Sequence, residues 1–122
     1  INTAYNFLKG CKDVYVASVC TNIPHITEDN AFNAYETDLY LMTKAGSQLA
    51  KDLKQNQNVV ITAKRDGQTL TISCKLVEDS RKTSKEALLR NRPDLRGSLS
   101  DRDIIYKVKE VTAYIDHQEI KF

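Results

Sequence analysis

Tryptophan is absent from the 122 residues, proline occurs twice and glycine four times. A chain with so few of either breaker is neither collagen-like nor a Pro/Gly low-complexity segment. No run approaches the roughly 18 apolar residues of a membrane helix, and the opening INTAYNFLKG has no charged region followed by an apolar core, so neither a membrane span nor a secretion signal is expected. Charge of one sign is also scarce. The formal net charge is +2 and Lys and Arg alternate with Asp and Glu, which leaves no basic stripe for nucleic acid.

Cysteine is limited to Cys11, Cys20 and Cys74, an odd number without CxxC or other metal-ligand spacing. They read as free thiols of a reducing compartment, hence a cytoplasmic expectation and no metal. GxSxG, the phosphate-binding P-loop and the dinucleotide GxGxxG are all missing, so nucleophilic hydrolysis and nucleotide binding of those kinds have no motif behind them. What remains is ordinary for a globular protein, 41% apolar and 28% charged, and its length fits one domain over residues 1–122.

Along the chain, Ala4, Phe7 and Leu8 have helical spacing, so residues 2–9 are expected to form a helix that Gly10 ends. VYVASVC (14–20) is β-branched and apolar on both faces, as in a strand buried on both sides or closing a barrel. Residues 25–35 read as a return strand with an irregular middle at 28–30, and LYLMT (39–43) as a strand after a tight turn. Ser47 is a plausible N-cap for a helix over 47–55 whose Leu49, Ala50 and Leu53 point inward. Asp66-Gly67 between 59–65 and 68–78 is the strongest hairpin signal. Residues 80–90, opening on Ser80, suggest a surface helix that Pro93 stops; 101–105 suggest another helical turn, 104–115 a long strand and 118–122 a last one. The sum is a mainly β protein, about six antiparallel strands in a small barrel with a few short peripheral helices.

Within this pattern, residues 38–63 form a strand, polar turn, helix and strand, which presents hydroxyls and N–H groups where an anion can sit. Their order and spacing resemble the FMN-binding split barrel family that includes the pyridoxamine 5′-phosphate oxidases. The matching residues are Leu39, Tyr40, Leu41, Thr43, Ser47, Leu53, Asn56, Asn58 and Val59. TISCKLVED (71–79), the segment 80–97 with its Pro-x-Leu, and DIIYKVKEVTAYI (103–115) extend the resemblance over almost the whole chain.

The resemblance implies a six-stranded split barrel, a homodimer, and FMN in clefts between two copies, serving an oxidoreductase that acts on a small molecule. By position the flavin phosphate would lie near Thr43, Lys44, Ser47 and Gln48, and the ring along His25, Ile26, Thr27 and Tyr40, Leu41, Met42. Several positions depart from the family pattern. Gln48 and Leu49 stand where Arg and Lys are usual, His25 where arginine is common, Thr69 and Thr71 where Trp and Arg occur, and Cys74 where glycine does. Lys44 and Lys51 are the remaining cations nearby.

Each sharp reading has a bland counterpart. Ser47 is a phosphate ligand or a helix cap; His25 is an acid–base group or a solvent-facing turn residue. Tyr35 and Tyr40 suit a core or interface better than ring stacking, His117 reads as surface, and Glu28-Asp29, Glu78-Asp79 and the basic residues after Ser80 read as solvated. The alternative function is a non-enzymatic, flavin-free dimer of the same fold that binds another planar or anionic ligand.

Overall fold

The structure, a computed structural model, describes residues 2–79, 81–98 and 103–122. In chain order the elements are α1 (Asn2–Lys9), β1 (Val14–Cys20), β2 (Ile23–Glu28), β3 (Phe32–Tyr35), β4 (Asp38–Lys44), α2 (Gln48–Leu53), β5 (Asn58–Arg65), β6 (Gln68–Glu78), α3 (Lys82–Asn91), a 3-10 turn (Pro93–Ser98), β7 (Asp103–Ile115) and β8 (Gln118–Ile120). The mainly β, antiparallel barrel expected from the sequence is present. Its strands follow the order β2-β1-β5-β6-β7-β4-β3, with β8 attached to β7.

Eight strands occur among the described residues where about six were expected, because the return strand is two and the last segment forms a short β8 of its own. The irregular middle, expected at 28–30 and found at 29–31, is where the chain leaves β1 and crosses to β4. The Asp29 carboxylate accepts the Ala31 N–H at 2.9 Å, a local turn that ends the strand. This crossing also explains the barrel. β2 and β3 lie at opposite ends of the strand order, yet four residue steps separate Glu28 from Phe32, at most about 14 Å of extended chain. The sheet must curl until its ends approach, and β2 and β3 are not paired to each other.

The Asp66-Gly67 hairpin forms as expected, with φ of 51° and 78° at its two turn residues. Both being positive is the requirement of a type I′ turn. In β7 the register against β6 shifts between Ser73 and Lys75, and Glu110 nearby has φ of 52°, so a bulge bends this long strand.

Two apolar layers result. The barrel interior holds Val14, Val16, Leu39, Leu41, Ile61, Leu70, Ile72 and Leu76, closed by Ala4, Phe7 and Leu8 of α1 and by Leu49 and Leu53 of α2. A second layer, Ala31, Tyr40, Met42, Leu88 and Ile105, lies between β4, β7 and α3. The strand buried on both faces is therefore β4. For β1 the second of the two expectations holds, a strand of the barrel wall and not one buried on both sides: Val14, Val16 and Ser18 are buried while Tyr15 and Ala17 are exposed, because no helix covers that side.

The N-cap of α3 is Arg81, whose side chain makes no capping bond; the Ser80 expected there lies outside the described residues. Instead Arg81 Nη2 donates to Asp79 Oδ2 at 2.9 Å and to the Tyr40 hydroxyl at 2.7 Å, which ties α3 to β4. Residues 103–105, expected to be helical, open β7, while 101–102 lie outside the described residues.

Ile72 is fully buried between Ile61 and Ala113 on its neighbouring strands. Ile72→Ala should cost about 2–5 kcal/mol in urea unfolding; a loss below about 1 kcal/mol would contradict this packing.

Candidate functional site

The short helix α2 packs against β1, β2 and β4. Its inward arc includes a charged residue, Asp52, which is 0% exposed. In the β1–β2 register Ser18 stands opposite His25, so the two side chains leave the sheet on the same face, beneath that carboxylate. Ser18 Oγ donates to Asp52 Oδ2 at 2.6 Å and His25 Nδ1 meets the same oxygen at 2.8 Å. Gln48, one helical turn before Asp52, donates from Nε2 to Oδ1 at 2.8 Å.

Burial by itself would push the Asp52 carboxyl upward, but the hydrogen bonds from Ser18, Gln48 and His25 outweigh it and hold the group below the usual carboxylate range. The anion is thus the resident form. His25 reaches solvent, with 32% of its side chain exposed, as does Gln48.

A second polar pair adjoins the helix start. Thr43 Oγ1 and Ser47 Oγ are 3.0 Å apart, and Ser47 Oγ accepts the Ala50 N–H at 3.1 Å, so Ser47 is the N-cap of α2. Gln48 and Lys51 are exposed beside it.

The other residues singled out from the sequence are divided by the pleat of the strands. Thr27 lies on the His25 side of β2, opposite Val16, whereas Ile26 faces outward and is 75% exposed. In β4, Leu41 fills the barrel, while Tyr40 and Met42 face α3. Lys44 follows Met42 to that outer side, where its Nζ is 3.8 Å from Asp103 across a cleft of about 400 Å³ that Asp29, Met42 and Thr43 also line. The structure therefore joins His25 with Gln48 through Asp52, and Thr43 with Ser47, and directs Lys44 to the outer cleft, which Thr43 also borders.

Sequence reasoning missed Asp52 and Ser18. The available signal was a carboxylate between Leu49 and Leu53 on the inward arc of α2, a position that requires partners. Those partners come from strands 27 and 34 residues away, which no local pattern discloses. Among the described residues no group of His, Cys, Asp or Glu could hold a metal ion, the cysteines are free, and no helix is long and apolar enough to cross a membrane.

No protein-family model matches the chain, and no curated protein matches it in sequence. Solved structures do match. A NimC/NimA family protein from Clostridium acetobutylicum superposes with TM-score 0.87 at 24% identity, covering 98% of this chain and 87% of that one. A pyridoxamine 5′-phosphate oxidase-like protein from Listeria innocua gives TM-score 0.75 at 17% identity over 96% and 98%. A FAD-binding protein from Mesorhizobium loti gives 0.70 at 10% over 92% and 90%, and the haem storage protein HutZ from Vibrio cholerae 0.71 at 14% over 93% and 92%. The chain has the split-barrel fold of these proteins, the fold that the sequence resemblance implied.

Asp52 and Asp29 respond to pH in opposite senses. Asp52 titrates lower folded than unfolded, so its contribution is complete above the ordinary carboxylate pKa and is lost as pH falls through the lower folded value. Burial raises Asp29 from 3.8 to about 6, against the Ala31 N–H and Arg92, so its contribution is complete below pH 3.8 and declines as pH rises through about 6. Asp29→Asn should accordingly be more stable than the wild type above pH 6 in urea unfolding, with the gap closing near pH 4. A constant gap across that range would refute the assignment.

Proposed function

We propose that the chain is a single split-barrel domain that works in the cytoplasm as a homodimer, binds FMN between its two copies and passes electrons from a reduced donor to a small molecule. The observation that carries this reading is the hydroxyl pair Thr43–Ser47 at the barrel rim, 3.0 Å apart and flanked by exposed Gln48 and Lys51. Two hydroxyls fit a phosphate monoester. Lys51, exposed one helical turn after Ser47, would be the cation for it. The ring would lie toward His25 and Thr27, above the packed strand of Tyr40, Leu41 and Met42. When bound, the flavin supplies the redox chemistry and the protein supplies position and electrostatics.

The dimer reading rests on the uncovered side of the sheet. Tyr15, Thr62, Thr71 and Tyr114 form one row across β1, β5, β6 and β7, and Ala17, Val60, Ser73 and Thr112 form the next. All point outward and none is charged, a composition that suits the centre of an interface between copies.

A second reading is favoured by a specific observation. Where a phosphate site of this kind would carry two cations, Leu49 is fully buried and the Gln48 amide is engaged on Asp52. A flavin-free dimer that binds another planar or anionic ligand is consistent with that loss.

FMN titration separates the two: a yellow protein with shifted flavin absorbance supports the first, and a colourless dimer that ignores FMN the second. Thr43→Ala and Ser47→Ala should each weaken FMN binding about tenfold or more, since a hydrogen bond to a charged group contributes about 1.5–3 kcal/mol, with the dimer intact by gel filtration. Unchanged affinity in both variants would sink the phosphate assignment.

A further inference from the structure

A carboxylate accepts hydrogen bonds and does not donate them, so in the 2.8 Å contact with Asp52 the proton sits on His25 Nδ1. The neutral ring then carries its lone pair on Nε2. No described residue bonds to Nε2. Asp52 is itself fixed from three elements, by Ser18 of β1, His25 of β2 and Gln48 of α2. Such a buried, fully satisfied carboxylate sets both the tautomer and the orientation of an imidazole. Ser18 is no nucleophile here, because its hydroxyl donates to Asp52 at 2.6 Å and not to the ring. The cluster is therefore built for moving a proton and not for acyl transfer.

We propose that His25 is the acid–base group of this protein, exchanging a proton at Nε2 with the small molecule that is reduced, and that Asp52 is its positioning residue. The reaction it serves rests on the flavin reading above. A reduced flavin held at the rim would supply a hydride to an electrophilic acceptor such as a quinone, which would be left as an anion. The imidazolium Nε2–H gives that anion its proton, and the neutral ring regains one from solvent. Two electrons and two protons are thereby transferred, and Asp52 stays ionised throughout.

His25 and His117 are the two histidines of the chain, so ¹⁵N-histidine labelling reads them separately. The neutral ring of His25 should be protonated on Nδ1 and bare on Nε2, and Asp52→Asn should move the proton toward Nε2. A wild-type ring protonated on Nε2 overturns the proposal. His25→Gln, whose amide N–H can replace the bond to Asp52, should retain the fold and bind FMN. In stopped-flow reoxidation of the FMN-loaded, reduced protein, His25→Gln should slow the reaction with 1,4-benzoquinone by about 10²–10⁴-fold. The rate with ferricyanide, which takes one electron and no proton, should be unchanged. Equal slowing of both would mark a merely structural residue and overturn the acid–base role. A wild type that stays colourless with FMN overturns the flavin reading and this role together, whereas a yellow protein whose quinone rate ignores His25→Gln overturns the role alone.

Discussion

The buried carboxylate of Asp52 is the constraint on which the rim of the barrel depends. A six-residue helix such as α2 is far too short to persist by itself. It is held by Leu49 and Leu53 in the barrel interior and by one ion that reaches back to β1 and β2. Removing an ion of this size from water costs several kcal/mol, and the three donors that surround Asp52 offset that cost. Helix, strand pair and the orientation of His25 consequently stand or fall together.

The second organising feature is β4, whose alternate residues enter two different apolar layers. Burial on both faces explains why LYLMT is continuously apolar. It also explains why neighbouring residues of that strand serve different surfaces. Thr43 bonds Ser47 at the rim and also borders the outer cleft, where Lys44 meets Asp103. The cation that follows Thr43 in sequence thus lies 3.8 Å from a carboxylate, and Lys51 stands one helical turn after the Ser47 cap.

Much of this architecture was legible in the sequence where a local rule determines the outcome. Asp66-Gly67 is one of the few pairs that accept two positive φ angles in succession, so the hairpin was readable from two letters. The cap at Ser47 and the inward spacing of Leu49 and Leu53 were equally local. The split of residues 25–35 into β2 and β3 was not, since both halves look like strand and only the pairing partners differ. Nor was the doubly buried strand: VYVASVC and LYLMT are similarly apolar, and what covers each is decided by where α3 docks. The same limit hid Asp52, whose position on the helix was readable but whose partners depend on sheet register.

The crossing at residues 29–31 has one more consequence. It joins the two ends of the sheet through covalent chain, while the seam itself has no ladder of hydrogen bonds between β2 and β3. Curvature here is enforced by a tether. The crossing residues are themselves bonded to both lips of the seam, the Asp29 N–H to the Val14 carbonyl at 2.9 Å and the Met42 N–H to the Ala31 carbonyl at 3.0 Å. The β2 lip, which carries His25, is therefore latched to the rest of the barrel by a turn and not by a ladder.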